Sequence, residues 1–383
     1  MSTLKVTNLE TATGGGVAAK LTSINGHAIG GRRRLNINGD FKVQQRGTTS
    51  SVTSAKYGID RMKLEVGSCG TWTLSQDTDV PAGKGFSNSY KIDCTSADAS
   101  PAAADFLDTR HAMEGQDLQH LKWGTSDAES LTVSFWIKCK KTGTFNLNLI
   151  SHGASANRGT SKVITISSQD TWEEKSVTFP GDTAQAIPND NSRGLTLAFW
   201  LDAGSDYKGG TSPTSGWETL TSANRAASTT IALADNTNNY MNITGLQMEV
   251  GAFQTAYEFW SYGEELSRAQ RYFYLAASGA DSANATVAIC FNYGSGSARA
   301  MIYFPTTMRT IPDIFEVSGT NYWRILQHGG TDDHPDSVHG GNERLNMAET
   351  SFEDDVSGMT AGDASLLRID NAAARLGYDA ELS

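Results

Sequence analysis

Charged side chains are scarce in this sequence. They make up 19% of it, against about 25% in an average soluble chain. Positive charge is scarcer still: 31 Lys and Arg against 42 Asp and Glu leave a net charge of −11. A general basic field for nucleic-acid phosphates is therefore not expected, nor is adhesion to an anionic membrane by charge alone. Long apolar runs are missing as well. None approaches the ~18 residues that cross a bilayer, so membrane insertion is not expected. The opening Met1-Ser-Thr-Leu-Lys-Val6 lacks the apolar stretch of a secretory signal. That points to a chain made in the cytoplasm and not exported by such a signal. Cysteine is limited to Cys69, Cys94, Cys139 and Cys290, far apart and without CxxC or CxxH spacing. Zinc clusters and redox pairs find no support in that pattern, and four buried free thiols are the expectation.

What fills the gap is Gly, Ser, Thr, Asn and Ala. Hydrophobic residues reach 38%, and 38 Gly come on top of them. Eight Trp, twelve Tyr and fourteen Phe supply enough apolar bulk for a packed core, which excludes a wholly disordered chain. Polar, Gly-rich sequence with spaced aromatics suits short strands and many turns. The 383 residues allow two or three domains at about 100–200 residues each.

Residues 1–34 stand apart. Ser2–Leu9 fits one short strand, and the stretches from Gly14 and from Gly30 read as an extended arm. Such an arm needs the body of the protein or a partner to order it. The Arg32–Arg34 run reads either as a docking patch or as a solvated charge run.

From Leu35 to about Trp260 the pattern is strand after strand. In Leu131–Cys139 the residues Leu131, Val133, Phe135, Ile137 and Cys139 alternate onto one face. Phe145, Leu147 and Leu149 do the same, as do Leu195, Leu197, Phe199 and Leu201. Further strands are expected at 36–44, 61–66, 71–75, 87–93, 162–167, 175–179 and 240–250. The 101–122 segment is expected to hold a helical turn that covers one end. Dense one-sided alternation means an antiparallel sandwich or barrel. The period changes at Gly263–Tyr274, where Leu266, Ala269 and Tyr272 fit a short helix. A second β region follows, with strands expected at 285–292, 297–304, 314–318, 321–327, 365–370 and 374–380. The expected organisation is an arm over 1–34, a sandwich over 35–262 and a smaller C-terminal β domain over 263–383.

The motifs Asn38-Gly-Asp-Phe-Lys-Val-Gln-Gln-Arg-Gly47, Tyr57-Gly-Ile-Asp-Arg61, Met113-Glu-Gly115 and Leu121-Lys-Trp-Gly124 follow one another along the first half. Val133-Ser-Phe-Trp-Ile-Lys138, Asp170-Thr-Trp-Glu-Glu-Lys-Ser176, Phe179-Pro-Gly-Asp-Thr183 and Gly245-Leu-Gln-Met-Glu-Val-Gly251 continue the series. Tyr257-Glu-Phe259, Ser261-Tyr-Gly-Glu-Glu-Leu266 and Gln270-Arg-Tyr272 close it. This set resembles the jelly-roll modules of tail fibre and other virion structural proteins of marine bacteriophages. The ending Leu376-Gly-Tyr-Asp-Ala-Glu-Leu382 is similar to the ends of such proteins. One departure is Met62, where these modules often carry Trp after Arg. The sandwich also resembles jelly-roll carbohydrate-binding modules of secreted enzymes, through Phe135–Lys138, Thr171-Trp172 and Gln247–Gly251. The resemblance implies an all-β, antiparallel jelly-roll β-sandwich with a smaller C-terminal β domain. It implies a homotrimeric virion protein, bound through its arm to tail or capsid proteins and meeting a host-surface glycan. A tail fibre or adhesin and a capsid decoration or head fibre share every one of these features.

No nucleophile elbow, HExxH, P-loop or GxGxxG signature is present. No carboxylate pair for glycoside hydrolysis can be singled out, so neither an enzyme nor a cofactor is expected. Strand parity suggests a binding site instead. With Phe135 and Phe199 inward, Trp136 and Trp200 turn outward with Asn146, Asn148 and Thr196. These residues either form a stacking platform for pyranose rings, or are covered by the 101–122 segment or a neighbouring subunit. A second cluster, His328, His334 and His339 with Asp332 and Asp333, combines imidazole and carboxylate as a first-row metal set would. The alternative is a hydrated surface loop.

Overall fold

A computed structural model describes residues 33–153, 156–280, 284–329, 332–353 and 358–382, plus the backbone of a strand pair, Ser23–Ile24 with His27–Ala28. The strand expected at Ser2–Leu9 and the rest of the arm up to residue 32 lie outside the described residues.

Two antiparallel sheets pack face to face to form the jelly-roll sandwich. Its strands in chain order are β1 (Thr49–Val52), β2 (Lys56–Ile59), β3 (Met62–Gly67), β4 (Thr71–Asp77), β5 (Ser89–Ser96) and β6 (Phe106–Glu114). They continue with β7 (Leu131–Cys139), β8 (Gly143–His152), β9 (Asn157–Ile166), β10 (Glu173–Phe179), β11 (Arg193–Ala203) and β12 (Tyr240–Val250). One sheet runs β10-β7-β12-β5-β4-β1. The other runs β9-β8-β11-β6-β3-β2, with the two-residue strand Glu218–Thr219 on the β9 edge.

The alternating residues of β7, β8 and β11 point inward as expected and are fully buried. Phe135 of one sheet meets Phe199 of the other edge to face, 5.2 Å apart. Met62, at the position where the resembling modules often carry Trp, is buried in the same core, and so are Cys69, Cys94 and Cys139. One expectation fails and another holds only in part. Residues 36–44 form no strand, because Asn38 and Phe41 sit at φ values of 57° and 52°, which no strand tolerates. The 101–122 segment does hold a 3-10 helix, Gly115–Leu121, but Phe106–Glu114 is strand β6, hydrogen-bonded between β11 and β3.

The helix expected after Gly263 begins one residue earlier, at Tyr262–Ala269. Ser261 and Glu264 start it as a reciprocal capping box. The C-terminal β unit then forms a second layered body. Its strands are β13 (Phe273–Ser278), β14 (Thr286–Gly294), β15 (Ser297–Tyr303), β16 (Asp313–Val317), β17 (Trp323–Leu326), β18 (Ser337–Gly340), β19 (Met347–Glu353), β20 (Ala364–Ile369) and β21 (Arg375–Asp379). One sheet runs β13-β21-β16. The other runs β17-β20-β14-β15-β19-β18, with Asp332–Asp333 on the β17 edge.

Buried charges join the two bodies. Arg61 donates to Glu381 and stacks on Tyr272, 3.5 Å from the ring centroid. Arg46 donates to Asp379 at 3.0 Å and to Glu381 at 3.4 Å, and lies over Phe273. Arg34 donates to Glu265, and both side chains are fully buried. Arg34 is therefore not part of a solvated run. The motifs at 57–61 and 376–382, far apart in the chain, meet here.

His111 of β6 lies 1% exposed beside this junction. Burial, reinforced by the nearby Arg61 and Arg34 charges, holds its pKa well below the ordinary 6.5. The folded state thus keeps His111 neutral where the unfolded chain protonates it. Stability present above pH ~6.5 must fall as pH drops, by up to about 1.4 kcal/mol per pH unit for this one proton. Urea titrations from pH 7 to pH 5 should show that slope reduced by one proton in His111→Gln. An unchanged slope would contradict a neutral, buried His111.

Candidate functional site

The two outer faces of the sandwich differ completely. Outside β8 and β11, residues 204–232 fold back over the sheet. Trp200 is 1% exposed and packs on Phe106 and Tyr207, with ring centroids 6.0 and 5.2 Å away. Asn146 donates to the Ser212 hydroxyl at 2.6 Å and accepts from the Ser228 amide at 2.8 Å. Asn148 donates to the Arg225 carbonyl and accepts from Ser161. Thr196 bonds the His152 ring at 2.9 Å. All three polar side chains are buried, and Asn146 and Asn148 act as staples for the covering segment. Trp200, Asn146, Asn148 and Thr196 therefore form no open platform. The cover is the 204–232 segment together with Phe106.

Trp136 belongs to the opposite sheet. Parity holds within each strand, but β7 and β11 face each other across the core. Their outward tryptophans point to opposite sides of the molecule and share no surface. Trp136 is half-buried on the outside of the six-stranded sheet, across from Thr244 of β12 and Glu174 of β10. This face is polar; Thr132, Ser134, Thr244 and Gln247 on it are buried, and it opens at a cleft of about 240 Å³ around Trp136.

Two loops build the cleft walls. The loop before β5 brings Lys84 and Phe86, and the segment after β12 brings Gln254, Tyr257 and Phe259. Phe86, Tyr257 and Phe259 form one aromatic cluster, with centroids 4.8 to 5.3 Å apart. Phe86 sits on Gly245, whose φ of 62° belongs to a bulge in β12. A Cβ there would stand 2.5 Å from the Phe86 ring, so only glycine serves. The Lys84 ammonium lies 5.0 Å from the centre of a Trp136 ring. Gln254 donates to Glu174 at 2.7 Å, which fixes a hydrogen-bonding edge beside the indole.

The wall is anchored from beneath. The Gln247 side chain accepts from the Glu258 amide, and Glu249 accepts from the Thr255 amide, each at 2.8 Å. Glu258 in turn accepts from the amides of Arg33 and Arg34. Trp172, also half-buried, donates to Asp79 at 3.0 Å. Asp79 accepts from Lys138 at 2.7 Å. Burial pushes the Asp79 carboxyl up, but the Lys138 ammonium and the Trp172 indole N–H outweigh it and hold it low. Lys84, Phe86, Tyr257 and Phe259, which line the cleft, are not singled out as site residues by the sequence.

The His–Asp cluster does not assemble. His328 is exposed in a loop, His334 lies 3.3 Å from Asp370, and His339 lies 3.8 Å from Glu353. Asp332 pairs with Arg324, while the buried Asp333 accepts from the His334 amide. Among the described residues no three His, Cys, Asp or Glu side chains come together to hold a metal ion. The Trp136 cleft is lined by a single carboxylate, Glu174.

The fold defines the class: an antiparallel jelly-roll β-sandwich carrying a second β domain. No family model matches the chain, and no curated protein matches it. Solved structures that it resembles include a putative sugar binding protein from Bacteroides thetaiotaomicron, at 11% identity and a TM-score of 0.31, covering 57% of this chain and 100% of that one. A family 11 carbohydrate-binding module from Clostridium thermocellum, in complex with a mixed-linked tetrasaccharide, matches at 10% identity and a TM-score of 0.28. It covers 55% of this chain and 98% of that one. Tailspike protein 4 of bacteriophage CBA120, its enzymatically active domain, matches at 10% identity and a TM-score of 0.29, over 57% of this chain. This chain spans only 21% of that tailspike domain. At such TM-scores these likenesses say nothing of what this chain binds.

The two tryptophans should respond differently to truncation. Trp200→Ala opens a cavity under the covering segment and should cost about 3–5 kcal/mol. Trp136→Ala removes a half-exposed ring and should cost less than about 1 kcal/mol. Guanidinium unfolding of the two variants gives the comparison. Equal losses would contradict the open and covered faces described here.

Proposed function

We propose that this chain is a glycan-binding adhesin on a bacteriophage virion appendage, a tail fibre protein, whose Trp136 cleft meets a host-surface glycan. One observation carries the binding part: an accessible indole face and a fixed Glu174–Gln254 hydrogen-bonding edge share one cleft. Sugar C–H groups stack on aromatic faces, and a carboxylate beside an amide matches pairs of hydroxyls. Lys84 is exposed, and an incoming ring takes its place over Trp136. In this reading the cleft holds the glycan, with Glu174 as a hydrogen-bond acceptor.

The virion part rests on the resemblance of the motifs at both ends of the chain to those of phage structural proteins. The arm attaches the protein to tail or capsid proteins, and the two β domains project from the particle. In a homotrimer, three weak sites act together and avidity exceeds the affinity of any one of them.

Isothermal titration of the full chain with fragments of host-surface polysaccharide tests the binding part. Trp136→Ala should weaken binding about 2- to 10-fold, the value of one stacking contact, at an unchanged melting temperature. Retained affinity in that variant would overturn the assignment.

A further inference from the structure

The outer face of the larger C-terminal sheet carries a bare apolar centre. Cys290 pairs with Ala300 and Asn292 with Ala298 across the β14–β15 ladder, and all four are buried. The alternate residues therefore face out. Ile289, Phe291 and Tyr293 are 73%, 52% and 62% exposed on β14, and Met301 and Tyr303 are 40% and 69% exposed on β15. Leu366 of β20 lies directly opposite Ile289 and extends the patch. A cleft of about 640 Å³ opens along it. β14 and β15 lie in the middle of their sheet, so this is the centre of a sheet face and not a frayed edge. Contiguous apolar surface of this kind marks a contact site.

Each margin carries one charge without a strong counter-ion, of opposite sign on the two sides; Arg324, beside Arg368, is already paired with Asp332 and Asp370. On the β20 side stands Arg368, which forms no ion pair among the described residues. Its Nε is buried without a hydrogen-bond partner among them. On the β19 side stands Glu353, 46% exposed at its side chain and met only by His339 at 3.8 Å among basic groups. Between them Arg299 is already engaged, by Glu349 at 2.6 Å and by the Tyr293 ring.

We infer that copies of this chain associate through this face, the Arg368 margin of one copy against the Glu353 margin of the next. A symmetry axis parallel to the strands, two-fold or three-fold, brings the apolar centres together and opposes the unlike margins in the same step. An axis across the strands would set arginine against arginine. A glycan or a lipid surface has no use for two margins of opposite sign, whereas a second copy matches both. The inference is independent of the glycan reading, and its test uses no glycan.

Sedimentation velocity of the full chain at micromolar concentration should give a species of two or three chains of 41.0 kDa each. Phe291→Asp should weaken association about a hundredfold, as loss of a central interface residue does. The melting temperature of its dissociated form should show that it still folds. Glu353→Arg should weaken association about tenfold, and adding Arg368→Glu should restore it, as charge reversal across one interface requires. A monodisperse species of 41.0 kDa would overturn the inference. So would an oligomer that Phe291→Asp leaves intact, or a monomer whose patch instead binds anionic lipid vesicles. Failure of the charge swap to rescue would overturn the proposed arrangement of the margins.

Discussion

Two buried carboxylates, Glu265 and Glu381, hold this structure together. Each lies out of water, and each is satisfied by arginines from the opposite end of the chain: Arg34 for Glu265, Arg61 and Arg46 for Glu381. Removing one partner of such a pair costs about 3–5 kcal/mol, because the other charge stays buried and alone. The constraint explains the irregular course of residues 34–46. Asn38 takes its left-handed conformation while its side chain bonds Val43 and the Asp60 carbonyl and its amide bonds Glu265. The stretch follows side-chain partners and forms no ladder of its own.

The same network supports the cleft. The Arg34 guanidinium lies 5.2 Å from the centre of the Tyr257 ring and 4.5 Å from that of Trp260. Its backbone amide and that of Arg33 hold Glu258, whose own amide bonds Gln247. The aromatic wall that faces Trp136 thus stands on the chain segment that the Glu265 pair fixes. Fold and site share one set of contacts, which tie the wall to the junction. Preorganised walls spare a ligand the ordering cost of binding.

Strand parity was legible wherever hydrophobic residues alternated, and it placed the inward faces of β7, β8 and β11 correctly. Parity belongs to a single strand, however. Whether Trp136 and Trp200 share a sheet depends on pairings between distant strands, which no local pattern carries. The 204–232 cover was illegible for another reason. It consists of small polar residues that read as loop, and its hold on Asn146 and Asn148 comes through hydroxyls and backbone groups. β19 was missed because its inward face mixes Ala348, Thr350 and Phe352. Thr350 hides its hydroxyl by bonding Tyr378. The arginine–glutamate pairs span more than two hundred residues, and nothing local foretells them. Motif resemblance did single out 57–61 and 376–382 without showing that they touch.

Amide hydrogen exchange on the full chain with Glu265→Gln tests most directly whether the buried pair supports the cleft. The change keeps the shape and removes the charge that answers Arg34. If the pair carries the wall, residues 34–46 and 254–260 should lose protection together while Leu131–Cys139 keeps its own. If residues 254–260 stay as protected as in the unaltered protein, the wall does not depend on Glu265, and the link between junction and cleft is wrong.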